Sequence, residues 1–167
     1  MILYIAVTIL VLALSLWVRP RTAVKTNSVI YSSALSRQDA LSRICLCAIF
    51  ATLFIPEALR VNTGNDYAKY VDFMHNIGIS AYDYVATEFG FNALVKLIYS
   101  ASGFENYLLV FAVFAALTAG LFLLAMRQQA DNFTFTFFLF MMFGYYFQSY
   151  NTVRYYFALA LTAVSIK

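Results

Sequence analysis

Asn106-Tyr-Leu-Leu-Val-Phe-Ala-Val-Phe-Ala-Ala-Leu-Thr-Ala-Gly-Leu-Phe-Leu-Leu-Ala-Met126 carries no charged side chain, and Arg127 follows it at once. About 20 apolar residues carry an α-helix across the hydrocarbon of a bilayer, so this stretch predicts a transmembrane span. Within it Ala116 and Gly120 stand four apart, a small-residue pair that lets another helix pack closely. Working outward, Met1 to Val18 is apolar and ends near Trp17, an interfacial anchor, with no cleavage site of a removable signal peptide. Ile44 to Leu59 is a shorter apolar run, and Pro56 is expected to kink its last turn. Phe133 to Tyr150 is apolar and crowded with aromatic rings, which are expected to face lipid or pack between helices. Asn151 to Lys167 turns back and stops after about three-quarters of a span, so the chain reads as part of a longer protein.

The predicted fold is therefore all-α. It is a polytopic transmembrane helical bundle with short interfacial helices in an outer loop, 1–167 forming one membrane domain. The spans are 1–18, 44–59, 106–126, 133–150 and the incomplete 151–167, with the outer loop at 60–103. Hydrophobic residues make up 63% of the chain and charged ones 11%, which excludes an ordinary soluble domain. The short alternating segments of a membrane β-barrel are absent. A net charge of +3 without a basic stripe gives no reason to expect nucleic acid. Cys45 and Cys47, two apart in an apolar run, read as small core hydrophobes. His75 is the only histidine and has no matching ligand set, so no metal site and no cofactor are expected.

Charge sets the orientation. Arg19, Arg21, Lys25, Arg37 and Arg43 face a single Asp39 in the stretch after the first apolar run. Lys and Arg collect in cytoplasmic loops, which puts this loop inside and the N-terminus outside. Pro20, Thr22, Ser28, Ser32 and Ser33 open it, and Ser36 to Ser42 reads as a short surface helix. Arg127 to Asp131 forms a tight inner turn, where the acceptor-like Asn132-Phe-Thr134 cannot be glycosylated.

The outer loop opens with Arg60-Val-Asn-Thr-Gly-Asn-Asp-Tyr-Ala-Lys-Tyr70. Thr63, Gly64 and Asn65 are turn and cap residues. Tyr67, Tyr70, Val71, Met74 and Ile77 then recur at helical spacing, predicting an amphipathic helix laid on the headgroups and broken by Gly78 and Ser80. A second short helix is expected from Phe89 to Ala101. Counting spans brings Arg60, Asp66, Tyr67, Tyr70 and Glu88 to the same side as Asn151 and Arg154. So many polar groups in so apolar a chain need a use. A guanidinium fork suits phosphate, a carboxylate can take a proton from a sugar hydroxyl, and tyrosine faces suit sugar rings.

Arg60 with Gly64-Asn-Asp66-Tyr67 and Tyr70, then Glu88-Phe-Gly90-Phe91, then Asn151-Thr-Val-Arg154 resemble the EpsG family of Wzy-like exopolysaccharide and O-antigen polymerases. The likeness runs from Arg60 onward and matches the N-terminal part of such a protein. Tyr155 departs from the family's pattern, in which Gln often follows the Asn-x-x-Arg. The resemblance implies a multi-span protein of the bacterial cytoplasmic membrane. It would be a glycosyltransferase-type enzyme polymerising undecaprenyl-diphosphate-linked repeat units on the outer face into exopolysaccharide, capsule or O-antigen. Asp66 and Glu88 would be the catalytic carboxylates. Arg60, Tyr67, Tyr70, Asn151 and Arg154 would bind substrate, with the bilayer and other polysaccharide assembly proteins as partners. Plainer readings stand beside these. Arg60 and Arg154 can snorkel to headgroups, Asp66 can answer a helix dipole, and Asn151 and Glu88 can cap helices. Two other functions stand as alternatives: a transporter of the lipid-linked glycan, against which the nearly charge-free spans count, and a non-catalytic scaffold of an assembly complex.

Overall fold

The computed structural model describes residues 2–19, 37–79 and 87–166. Pro20, Arg21, Lys25 and the serines of the basic loop lie outside the described residues, as do Ser80 and Asp83. Among the described residues every regular element is helical: α1 Ile2–Ser15, α2 Arg37–Ala58, α3 Tyr67–Ile79, α4 Phe89–Ser102, α5 Tyr107–Gln129, α6 Phe133–Met142, α7 Tyr145–Ser149 and α8 Val153–Ser165.

Two of these helices, α2 and α5, are long and apolar enough to cross a membrane. Asn106 starts α5 by accepting the Leu109 amide at 3.0 Å, which satisfies one of the unpaired donors of a helix start. The helix then runs three residues past Met126, because Arg127, Gln128 and Gln129 are good helix formers that continue the turn. Helix α2 begins at Arg37, so the expected surface helix is continuous with the span rather than separate from it. Ser42 Oγ accepts the Arg19 amide at 3.1 Å and ties the end of α1 to α2. Pro56 lies inside α2, where it cannot donate to the preceding turn. Tyr146 supplies a donor at that weakened turn, its hydroxyl bonding the Leu53 carbonyl at 2.8 Å.

The aromatic run 133–150 is not one helix. Gly144 adopts φ +74°, and the turn at Phe143 and Gly144 divides α6 from α7. A side chain with a Cβ resists that left-handed backbone, so the glycine fixes where the helix breaks. Asn132 caps α6 by accepting the Phe135 amide at 3.1 Å, and Thr134 Oγ1 donates to the Ser15 carbonyl at 2.9 Å. Both polar residues of the acceptor-like tripeptide thus have structural partners.

Two cores share α5. Val11, Ile49, Leu53, Phe122, Phe137 and Tyr146 fill the space among α1, α2, α5, α6 and α7. Gly120 faces α2, and a Cβ there would lie 3.6 Å from Phe50, an ordinary contact for the close packing expected of that pair. The second core joins α3, α4, α5 and α8 through Tyr70, Met74, Ile77, Val95, Phe111 and Phe114. The apolar stripe of α3 therefore packs on protein rather than on headgroups. Tyr67 stacks on Phe111 with centroids 5.2 Å apart, giving that stripe a nearer partner than lipid.

Pairings along the bundle sort its two ends. Ser15 meets Thr134 at one end, where Gln129 Nε2 also donates to the Ile166 carbonyl at 2.6 Å. Tyr4 packs edge-on against Phe147 at the other end, with Arg60, Tyr150 and Asn151 beside them. Helices α5 and α8 run side by side in the same direction, Phe114 against Phe157 near the second end and Gln129 against Ile166 at the first.

Candidate functional site

The second end of the bundle gathers the polar residues that the sequence singles out, and it sorts them into two groups. The first surrounds a cavity of 540 Å3. Asp66 lies at the start of α3, Tyr70 one turn along it, Glu88 at the start of α4 and Arg154 in the first turn of α8, and all four line this cavity. Gly90, Phe91, Phe114 and Phe157 make the walls, and Ala158 and Leu161 extend the lining down α8.

Arg154 and Glu88, 66 positions apart, form an ion pair across this cavity. Glu88 takes the N-cap position of α4 with extended backbone, yet its side chain makes no capping bond and is committed to Arg154 instead. The turn before it is held by Thr87 and Asn92, whose side chains bond one another. The Arg154 guanidinium lies 5.6 Å from the Tyr70 ring centroid, 5.5 Å from Phe73 and 5.6 Å from Phe91. Such an aromatic cage favours a cation through the negative ring faces. Glu88 keeps 69% of its side chain exposed, and exposed pairs contribute only about 0–1 kcal/mol. A ligand anion can therefore exchange with it. Asp66 has a looser partner, Lys69 Nζ at 3.4 Å one turn on.

The second group lies behind the first. Arg60 is 5% exposed and makes one hydrogen bond among the described residues, from Nη1 to the Tyr150 carbonyl at 2.7 Å. Its guanidinium lies 4.5 Å from the Phe111 centroid, and its Nε has no partner. Burial pulls the group below its ordinary value, while the Glu57 charge pulls the other way. Asn151 does not cap α8, whose N-cap is Thr152. It accepts the Asn65 amide at 3.3 Å instead. Gly64, at φ +96°, brings the loop so close to Tyr150 and Asn151 that a Cβ would sit 2.8 Å from Asn151 Oδ1. Arg60, Gly64, Asn65 and Asn151 together clamp the loop before α3 to the turn before α8, and so fix Asp66 relative to Arg154.

Tyr67 packs on Phe111 and is absent from the cavity lining. The sequence places Glu57 among the outer-side acids but not among the site residues; it is 3% exposed and accepts Ser149 Oγ at 3.0 Å. Nor does the sequence show that Gly90 lines the cavity, where an added Cβ would meet nothing within 4 Å. A charged residue beside Pro56 in an apolar run was the available signal for Glu57; Gly90 stands in the motif Glu88-Phe-Gly90-Phe91, but nothing in the motif marks it as a lining residue. Elsewhere at this end Glu105 accepts Tyr107 Oη at 2.8 Å and lies 3.0 Å from His75 Nδ1, contacts that hold its carboxyl below the usual range. Among the described residues no three His, Cys, Asp or Glu side chains converge on a metal-sized space. Cys45 and Cys47 are both free.

No curated protein and no solved structure matches the chain. The family model described as the EpsG family matches residues 43–167, from the start of the second apolar run through the end of α8. That stretch contains Arg60, Asp66, Glu88 and Arg154 and covers about three-quarters of the sequence. Membership agrees with the apolar helices and places the protein among membrane proteins of polysaccharide biosynthesis. The chain belongs to the EpsG family.

Proposed function

We propose that this protein is a polytopic enzyme of the bacterial cytoplasmic membrane that polymerises undecaprenyl-diphosphate-linked glycan repeat units on the outer face. The observation that carries the reading is the meeting of Glu88 and Arg154 at a 540 Å3 cavity that Asp66 and Tyr70 also line. The basic residues Arg19, Arg37 and Arg43 favour the opposite end as cytoplasmic and an N-terminus outside.

The chemistry needs a proton acceptor, a way to neutralise a departing diphosphate, and surfaces for sugars. Asp66 takes the proton of the acceptor hydroxyl, and that oxygen forms the new bond to the donor's anomeric carbon. The bond from that carbon to the diphosphate oxygen breaks, and its electron pair leaves with undecaprenyl diphosphate. Arg154 exchanges Glu88 for the departing phosphate, an exchange of one anion for another in a fixed aromatic cage. Tyr155, exposed in the cavity lining, offers a ring face to the sugars, while the buried Tyr70 supports the Arg154 guanidinium.

Asp66→Asn and Arg154→Ala, made in the producing cell, test this. Each is expected to leave the membrane level of the protein unchanged by immunoblot while abolishing the ladder of long polymer on a gel. Normal chain lengths in both variants would remove the catalytic assignment. Unpolymerised repeats trapped on the inner face of a deletion strain would point to transport instead.

A further inference from the structure

Glu57 is the buried acid that the proposed chemistry leaves without a task. It is the penultimate residue of α2, 3% exposed, and lines a small enclosed space with Leu53, Phe122 and Tyr146. A carboxylate in such apolar surroundings costs free energy unless partners replace its lost hydration. Its hydrogen-bond partner among the described residues is Ser149, the last residue of α7, whose Oγ donates to Glu57 Oε1 at 3.0 Å. Arg60, three residues on, adds an opposite charge nearby. An apolar side chain at position 57 would pack the same bundle without the desolvation cost, but it cannot accept the Ser149 hydroxyl.

Ser149 belongs to an element that needs outside anchors. Helix α7 spans five residues, too few to be stable alone, and Gly144 at φ +74° separates it from α6. Three bonds join this region to the end of α2. Tyr146 Oη donates to the Leu53 carbonyl at 2.8 Å, Ser149 donates to Glu57, and Arg60 Nη1 donates to the Tyr150 carbonyl at 2.7 Å. Leu53 and Glu57 stand four apart and Tyr146 and Ser149 three apart, so one turn of each helix meets one turn of the other.

The turn after α7 is built on it. The Asn151 and Thr152 amides donate to the Gln148 carbonyl at 2.9 and 3.2 Å, and Tyr156 Oη donates to Gln148 Oε1 at 2.5 Å. A displacement of α7 is therefore passed on to the turn and to the start of α8. That turn carries Asn151, which holds the Asn65 amide beside Asp66, and Arg154 follows its Thr152 cap by two residues.

We infer that Glu57 is a positioning residue: by accepting Ser149 it sets the α7–α8 turn, and so aligns Asp66 with Arg154. Its effect on product rests on the polymerase reading, while its effect on geometry does not.

The test compares Glu57→Gln, Glu57→Leu and Ser149→Ala in the full chain. Glutamine and leucine both remove the charge near Arg60, and only glutamine keeps an oxygen for Ser149, so their difference isolates the hydrogen bond. Ser149→Ala removes the bond and leaves the carboxylate in place. Geometry is read in nanodiscs by electron spin resonance, after replacement of Cys45. One label is on the exposed Cys47 of α2 and the other is at Tyr155→Cys in the first turn of α8. Polymer is read as the gel ladder from cells carrying the same substitutions with Tyr155 intact, at equal membrane level. Glu57→Leu and Ser149→Ala are expected to shift or broaden the distance between labels. They should also cut long polymer about tenfold or more, as misplacing a reacting group by ~1 Å can. Glu57→Gln is expected to match the wild type in both readings. Should Glu57→Leu fail to accumulate, Ser149→Ala against Glu57→Gln carries the same comparison. A wild-type distance in Ser149→Ala would overturn the positioning role, as would glutamine behaving like leucine. A shifted distance with a normal ladder would overturn it as well where Arg154→Ala abolishes the ladder. Where Arg154→Ala leaves the ladder normal, the polymerase reading fails by itself, and a shifted distance still supports Glu57 as the residue that sets the turn.

Discussion

At the scale of single residues, two glycines separate the site's shape from its support. Gly90 lines the cavity and a Cβ there meets nothing within 4 Å, so added bulk enters the cavity and not the core. Gly90→Leu is expected to leave thermal stability within about 0.5 kcal/mol, as for other substitutions away from packed contacts. It should also cut polymer output about tenfold or more, since misplacing a reacting group by ~1 Å costs up to a hundredfold. Unfolding midpoints and product ladders from the same preparations check it; full activity would show that the cavity is not where sugar binds. Gly64 is the converse case. Its φ of +96° and the 2.8 Å approach to Asn151 Oδ1 leave no room for a Cβ. Gly64→Ala should cost about 2 kcal/mol through backbone strain and the forced shift of the Asn151 turn, measured by denaturation in detergent. Both glycines were visible as letters in the motif, but their opposite roles were not. A glycine's role depends on what surrounds its missing side chain, and only packing decides that.

At the scale of elements, the legible features were those governed by local rules. The starts of α3 and α4 fall at Tyr67 and Phe89, where the sequence places them, because an apolar stripe with a 3.6-residue period needs a buried face. Helix α4 nevertheless buries Phe91, Val95 and Ile98 and leaves Leu97 exposed. What that face would touch was not legible. Lipid and protein are equally apolar partners, and α3 found α4 and α5 before headgroups. The division of 133–150 into α6 and α7 was likewise hidden, since hydropathy counts Gly144 as one more small residue. Its φ of +74° predicts that Gly144→Ala destabilises by about 1–2 kcal/mol, the cost of a left-handed backbone for a residue with a Cβ. An unchanged midpoint would mean that the break tolerates a straight helix.

For the whole molecule, the central question is whether residues far apart in sequence share one side of a bilayer. Asp66 and Arg154 line one cavity at one end of the helices, while Ser15, Thr134 and Gln129 mark the other. After replacement of Cys45 and the exposed Cys47, single cysteines at 66 and 154 are both expected to react with an impermeant thiol reagent added outside intact cells. A cysteine at 131, in the turn between α5 and α6, should react only after permeabilisation. Labelling of 66 and 154 from opposite sides would leave no common pocket.

The apolar runs, the charges between them and the order of the polar motifs were enough to establish an all-helical membrane protein of the EpsG family. Each depends on composition and short-range spacing, which a linear chain displays directly. Tertiary structure alone decided that Arg154 pairs with Glu88 while Arg60 donates to the Tyr150 carbonyl, and that Asn151 clamps a loop instead of capping a helix. Those outcomes turn on distances of a few ångströms between segments some 60 to 90 residues apart. Electrostatic pairing and steric fit act only once folding has brought such segments into contact.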